Sequence, residues 1–214
     1  MFEGFSPETV DFLWGIRFNN NREWFLEHKA VYEQTLYRPM LALAEEVYAP
    51  FREIPGMICK VSRIYRDARY ARGVPYKESL WFCIRRDVVS WGAHPSLFFQ
   101  IAPECYTYGF GLFSPAPSAM AAFRTQLQER PDEFLNLVRR VEAASGETVT
   151  GNPYAREKAG APPQVAAWFS LKNLYAYTDH PADDLLYSPQ LAETVRSTLQ
   201  ALLPLNEYCQ GFAY

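Results

Sequence analysis

Four short apolar runs between residues 57 and 113 constrain the fold of this chain most. Each run is rich in β-branched and aromatic residues, and proline, glycine, aspartate or a His-Pro pair separates it from the next. This pattern is typical of short strands joined by turns, so the segment predicts successive strands of an antiparallel sheet. The runs are MICKVSRIY, SLWFCIRR, SLFFQIA and CYTYGFGLF, which begin at Met57, Ser79, Ser96 and Cys105.

The last of these runs has one face of large side chains and one face that is nearly bare. Successive side chains of a strand point to opposite faces, and glycines leave room for the close approach of a helix or a ligand. We therefore expect a sheet face with a glycine floor on this strand. The large face carries Tyr106, Tyr108, Phe110 and Leu112, and the bare face carries Thr107, Gly109 and Gly111.

Helical spacing of apolar residues precedes the strand region. Ser6 followed by Pro7 predicts the start of a first helix, because serine caps helices and proline is favoured in the first turn. Residues 19–21 are three asparagines that end this helix and cap the next one. In that second helical segment, Pro39 predicts a kink or a break. Two or three N-terminal helices are expected.

Helical spacing returns after the strand region. Two helices are predicted between Pro115 and Gly146, and Ser188 predicts the start of a last helix. Between them, residues 169–177 predict a short strand. Residues 148–163 are rich in glycine and proline and show no periodicity, so we expect an ordered surface loop there.

These elements predict an α+β fold with a mainly antiparallel sheet, packed with helices from the N-terminus, the middle and the C-terminus. No glycine- or charge-rich linker divides the 214 residues, which favours one domain over residues 1–214. Apolar residues make up 49% and aromatic residues 16% of the chain, so a large core is available and a disordered chain is excluded. No apolar run reaches the roughly 18 to 20 residues of a membrane span.

The N-terminus lacks the basic and then apolar pattern of a secretory signal, so we expect a cytoplasmic protein. The four cysteines form no C-x-x-C pair and are expected as reduced thiols. The three histidines are isolated from acidic and cysteine partners, so neither a metal nor a cofactor is expected. Glycine-rich nucleotide-binding motifs and the G-x-S-x-G elbow are also missing from the sequence.

The main electrostatic anomaly is the segment from residue 60 to residue 86. It carries eight basic and two acidic residues, a balance of +6, in a chain of net charge −3. Such a segment can attract an anion and present guanidinium forks to a phosphate or a carboxylate. Alternatively, these basic groups pair with acids elsewhere and serve solubility. The basic residues are Lys60, Arg63, Arg66, Arg69, Arg72, Lys77, Arg85 and Arg86, and the acids are Asp67 and Glu78.

Crowding of these groups around a Gly-Val-Pro turn leads to a first hypothesis, a pocket for a small anionic molecule. The protein would be a binding protein or an enzyme that uses an Arg/Tyr/Lys cluster, with the arginines as clamps and an ionised aspartate that orients them. The tyrosine and lysine would act as donors or as an acid. The predicted ligand-binding residues are Arg63, Arg66, Asp67, Arg69, Tyr76 and Lys77.

The second hypothesis is a non-catalytic protein-interaction module. Here the same cluster is a buried ion-pair network that fixes the N-terminal helices on the sheet, and Arg66→Ala or Asp67→Ala would then lower stability by a few kcal/mol. Nucleic acid is not expected as a partner, because the sequence pI is about 5.7 and polyanion binders usually show a broad basic face. The sequence leaves open whether the protein is an enzyme and which oligomeric state it has.

Three motifs also resemble a known family. The chain is similar to a widespread bacterial and fungal family of conserved hypothetical proteins, which is classified as a domain of unknown function. The resemblance covers most of the chain and implies a shared fold and a shared Arg/Tyr/Lys cluster, but no reaction, substrate or cofactor. The motifs are F-x-G-F-S at Phe2 to Ser6, N-N-x-x-W-F ending at Phe25, and R-I-Y-R-D-x-R-Y from Arg63 followed by P-Y-K at Pro75 to Lys77.

Overall fold

The four predicted strands form one antiparallel sheet together with a fifth strand in the computed structural model of the chain. The structure describes residues 1–67, 69, 73–89 and 91–212. Each strand pairs with its sequence neighbour, so the spatial order is the chain order. The strands are β1 Met57–Val61, β2 Leu80–Arg86, β3 Ser96–Ile101, β4 Tyr106–Leu112 and β5 Leu174–His180.

Helices lie before the sheet, between its fourth and fifth strands, and after it. A π-helical segment, Tyr32–Tyr37, joins the third and fourth helices. Short 3-10 helices occupy Ala49–Phe51, Trp91–Ala93 and Pro163–Val165. The α-helices are α1 Pro7–Phe18, α2 Arg22–Glu27, α3 Lys29–Val31, α4 Arg38–Tyr48, α5 Pro117–Glu129, α6 Pro131–Ser145, α7 Ala166–Phe169 and α8 Gln190–Gln210.

The first two helices begin where the sequence predicts. Ser6 is the N-cap of α1, and its amide donates to the Thr9 hydroxyl oxygen at 3.2 Å. Asn21 caps α2, because its side-chain oxygen accepts the Trp24 amide at 2.9 Å. These caps satisfy backbone groups that have no partner inside the helix.

Pro39 lies in the first turn of α4, directly after the π-helical segment. Proline has no amide hydrogen, so the Thr35 carbonyl loses its usual α-helical donor four residues later. The fully buried Thr9 hydroxyl donates to that carbonyl at 2.6 Å. The proline therefore coincides with a local change of helix type and with a contact that ties α1 to the following helical segment.

The strand predicted over residues 169–177 begins later than expected. β5 starts at Leu174, and Phe169, the first residue of the predicted strand, is the last residue of the short helix α7. In this region the Trp168 indole donates to the Val149 carbonyl at 2.8 Å, and Phe169 is buried. Aromatic residues, which predicted a strand here, stabilise a short helix instead.

The helices cover one face of the sheet and thereby form the core. α4 packs against β1 and β2, and α8 packs against β3 and β4. The side chains between these layers include fully buried rings such as Phe82, Phe99 and Phe110. The predicted α+β fold, with N-terminal, middle and C-terminal helices on an antiparallel sheet, is confirmed. Within the described ranges no helix has the length and apolarity of a membrane span.

Candidate functional site

The candidate site lies on the face of the sheet opposite the core. Residues paired across neighbouring strands share a face, and successive residues along one strand point to opposite faces. Because Phe82 and Phe99 point into the core, the residues beside them point to the second face. Two rows cross this face, namely Trp81, Gln100, Thr107 and Asp179 in the first and Cys83, Phe98, Gly109 and Tyr177 in the second.

A cavity of about 420 Å³ lies over these two rows, and we call it the aromatic trough. Its lining includes Trp81, Cys83, Phe98, Tyr177 and Asp179. Cys83 is almost fully buried at its floor, and burial raises the pKa of the Cys83 thiol. The trough is therefore bounded mainly by aromatic rings, with a neutral thiol beneath them.

Glycine at two positions of β4 makes room for the rings of the trough. Gly109 lies between Phe98 and Tyr177 in the register, so these two rings meet across it with centroids 5.7 Å apart. A Cβ on Gly111 would overlap the Phe113 ring, which packs edge-on against Phe98 at 5.6 Å. The glycine floor predicted from the sequence is present, and aromatic side chains from β3, β5 and the end of β4 close over it.

The far end of the trough is polar. The Thr107 hydroxyl donates to the Asp179 carboxylate at 2.6 Å, and Asp179 itself is exposed. Gln100 lies between Trp81 and Thr107 in the register, in the middle of the trough, and offers both a donor and an acceptor. This end can accept hydrogen bonds from a guest through an oriented carboxylate.

The opposite end of the trough adjoins a second cavity of about 340 Å³, which we call the basic hollow. The two cavities share Trp81 and Cys83. Lys60, Arg63 and Lys77 line the hollow, together with other residues of β1 and β2. Within the described part of the chain, none of these three cations has a carboxylate within 4.0 Å.

Lys77 makes two contacts beside the hollow. Its ammonium group donates to the Arg63 carbonyl at 2.6 Å and lies 5.7 Å from the centroid of the Trp81 ring. Burial, and then the charges of Arg63 and Arg66, lower the pKa of Lys77. A lowered lysine pKa means that its positive charge is costly where it stands, and a bound anion would relieve that cost.

Arg63 and Lys77 are the two predicted site residues that the structure places in the basic hollow. Arg66 lies beside it and is already engaged, because its Nε donates to the Tyr76 carbonyl at 2.7 Å and its Nη2 lies 3.5 Å from Glu78. Within the predicted cluster, Arg63 and Lys77 therefore line a cavity, whereas Arg66 is held by contacts within the protein.

Asp67 and Arg69 pair with each other on the exposed turn, with Arg69 Nη2 2.6 Å from Asp67 Oδ2. The hydrogen bond from Arg69 lowers the pKa of Asp67 to about 2, so this carboxylate stays ionised as predicted for an orienting group. Both side chains are exposed, so this pair is not the buried network of the second hypothesis. Tyr70 and Arg72, which the sequence places in the same turn, lie outside the described residues.

Tyr76 points away from the basic hollow and into the core. It is 3% exposed, and its ring stacks on Phe25 with centroids 4.2 Å apart. Its backbone is held by Asn20, which accepts the Tyr76 amide at 3.0 Å and donates to the Tyr76 carbonyl at 3.1 Å. Burial raises the pKa of the Tyr76 phenol. Tyr76 thus fixes the backbone from which Lys77 projects.

An ion-pair network beside the hollow joins α1 to the sheet. Glu78 accepts from Arg17 Nε at 2.7 Å and also faces Arg66. The Arg17 guanidinium contacts Glu104 as well, with Nη2 to Oε2 at 3.1 Å. Sequence reasoning assigned no role to Arg17 or Glu104, since the partners come from segments far apart in the chain.

Sequence reasoning also missed the aromatic trough. The alternation of SLWFCIRR places Trp81 and Cys83 on one face, and the glycines of β4 indicate an uncovered face, so part of the signal was present. The sequence alone does not place Tyr177 and Asp179 on this face, because their position follows from the pairing of β4 with β5.

The fold and the site define a class of protein, an α+β domain with a basic and an aromatic cavity on one sheet face. Within the described residues, no three His, Cys, Asp or Glu side chains are grouped to hold a metal ion. The chain belongs to the family described as "Conserved hypothetical protein (DUF2461)", which it matches over residues 8–208. The family resemblance is thereby confirmed. The comparison with curated proteins gives no match.

Proposed function

We propose that this protein binds a small anion, a phosphate or a carboxylate, in the basic hollow. The observation that supports this most is the presence of Lys60, Arg63 and Lys77 in one concavity, without a carboxylate within ion-pair distance among the described residues. Cations gathered in a low-dielectric hollow create a positive potential that attracts and retains an anion.

The proposed roles follow from the contacts. Lys77 is the main anchor, because its ammonium has donors to spare after its bond to the Arg63 carbonyl. Arg63 supplies a guanidinium fork that matches two oxygens of a phosphate or carboxylate. Arg66 and Tyr76 position this part of the chain rather than contact the ligand. The Asp67–Arg69 ion pair is exposed on the turn.

Titration calorimetry with inorganic phosphate and with acetate tests this proposal. In Arg63→Gln/Lys77→Gln, both charges are removed while polar side chains are kept, so anion binding should be lost and the fold retained. Arg130→Gln is a matched control, since Arg130 is an exposed surface cation whose partner is Glu133. The proposal is wrong if the wild-type protein binds neither anion at millimolar concentration, or if the double variant binds like the control.

A second candidate function is the non-catalytic interaction module. The network of Arg17, Glu78 and Arg66 supports it in part, because it does tie the N-terminal helix to the sheet. In this case the cluster near residue 66 would maintain the shape of a protein-binding surface. A cytoplasmic location is proposed with either function, and it is consistent with four free cysteines, since thiols stay reduced there.

A further inference from the structure

We propose that the anion is the phosphate of a nucleoside monophosphate whose base stacks in the aromatic trough. This inference rests on the proposed function and adds the rest of the ligand. The basic hollow and the aromatic trough share Trp81 and Cys83, so a molecule that enters one is in contact with the other. A ligand with charge at one end and a flat apolar part at the other would use both.

The walls of the trough match a flat ring. Phe98 meets Tyr177 at an interplanar angle of 76° and Phe113 at 66°. Both are edge-to-face contacts that hold the rings in place, so a base would stack on their outer faces, and aromatic faces are the usual platform for a nucleobase. The trough volume of about 420 Å³ lies within the range of small-molecule sites, which runs from roughly 300 to 1,000 Å³.

The length of the site indicates a three-part ligand. Lys77 lies over Trp81 on β2, whereas Asp179 lies on β5, three strands away. Neighbouring strands are about 4.8 Å apart, so these two groups are separated by roughly 14 Å across the sheet. A phosphate attached to a single ring is too short for this span. A phosphate, a sugar and a base in series can reach from one end to the other.

The polar end of the trough selects the kind of base. An ionised carboxylate only accepts hydrogen bonds, and the Thr107 hydroxyl holds Asp179 in one orientation. Its natural partner is an exocyclic amino group, and Gln100, two strands nearer to the basic hollow, is available for another polar atom of the base or the sugar. Purines also present the larger stacking area. The site therefore fits an aminopurine monophosphate such as AMP better than UMP.

A ligand series measured by calorimetry on the intact chain tests each part of the inference. The probes are AMP, UMP, ribose 5-phosphate, adenosine and inorganic phosphate. Stacking of one base is worth about 1–3 kcal/mol, so AMP should bind about 5- to 150-fold more tightly than ribose 5-phosphate. UMP should fall between them, and adenosine should bind more weakly than AMP because it lacks the phosphate.

Three variants locate the binding mode. Phe98→Leu keeps an apolar side chain at the trough while removing the flat ring, so it should weaken AMP binding and leave phosphate binding unchanged. Asp179→Asn should reduce the preference for AMP over UMP, since the amide presents a donor to the amino group. Phe18→Leu is the matched control, because Phe18 is 75% exposed on α1 and stacks on Trp14 away from the trough.

The outcomes separate this inference from the function on which it rests. Phosphate binding with no gain for AMP over ribose 5-phosphate would overturn the nucleotide assignment and leave anion binding standing. Failure of every phosphate compound and of acetate to bind would overturn both. A gain for AMP that survives Phe98→Leu and Asp179→Asn unchanged would also refute the assignment, since the base would then lie elsewhere.

Discussion

Gly109→Ala is predicted to disrupt the pairing of β4 with β5. Gly109 has φ 155°, a conformation that favours glycine. An alanine Cβ there would overlap the Ala176 carbonyl oxygen and lie 2.8 Å from Tyr177 Cβ. Ordinary carbon–carbon contacts are about 3.5–4.0 Å, so the partner strand would have to move by about 1 Å. Because these obstacles belong to the strand itself, no side-chain rotation relieves them.

The magnitude follows from three contributions. Overpacking costs about 1–3 kcal/mol and an unfavourable backbone conformation about 1–3 kcal/mol, while the stiffer unfolded chain returns about 0.4–1 kcal/mol. We therefore expect Gly109→Ala to lower the free energy of unfolding by about 2–5 kcal/mol. Loss of the register at this point would also move Tyr177, so binding in the aromatic trough should weaken.

Gly111→Ala is the matched comparison two residues along the same face. The three atoms nearest to its added Cβ all belong to the ring of Phe113, a side chain that is 45% exposed and can turn outward. The loss is then mainly the contacts of that ring with Phe98, Tyr175 and Tyr177. Offset by the effect of alanine on the unfolded chain, the expected cost is about 1 kcal/mol.

Urea unfolding followed by circular dichroism measures both variants, with free energies taken by linear extrapolation. The reasoning requires Gly109→Ala to be clearly less stable than Gly111→Ala. A Gly109→Ala protein within about 0.5 kcal/mol of the wild type would refute it, because ordinary surface substitutions fall in that range. A larger loss for Gly111→Ala would refute it as well.

Two further predictions concern the groups around the basic hollow. Arg17→Met should lower the unfolding free energy by about 1 kcal/mol, since each partly exposed ion pair contributes little. Urea unfolding measures this change. A loss of several kcal/mol would contradict the prediction and show that the network is the main support of α1. Sulfate is a suitable probe, because its charge is constant above neutral pH. The affinity for sulfate should fall as the pH rises through the pKa of Lys77. Because that pKa is lowered, the fall should occur at a lower pH than for an ordinary lysine. Calorimetry at several pH values should show this decline in the wild type, and a Lys77→Arg variant that shows the same decline would exclude Lys77 as the anchor.

The contrast between confirmed and missed elements has a physical cause. The starts of α1 and α2 were predicted well because a cap is a local interaction between residues three apart, such as Asn21 and Trp24. The strand predicted over residues 169–177 was misplaced because aromatic side chains serve both strands and short helices. There the position of Trp168 depends on a contact with the distant Val149 carbonyl.

The candidate site was predicted only in part, for a related reason. Tyr76 and Lys77 are adjacent in the sequence, and extended backbone sends adjacent side chains in opposite directions, one into the core and one into the basic hollow. Arg66 was expected to contact a ligand, but a carbonyl and Glu78 already hold it. Closeness along the chain therefore indicated the region and two of its residues, Arg63 and Lys77, but not the direction in which the neighbouring side chains point.

By itself the sequence determined most of the elements of this protein, because caps, alternation and turn residues act over a few positions. It also placed the chain in its family and located the excess of positive charge. Only the tertiary structure decided which groups meet on the second sheet face. Thr107 and Asp179 are 72 residues apart and become neighbours through the pairing of β4 with β5. Such pairing depends on how the whole core packs, and no local pattern in the chain encodes it.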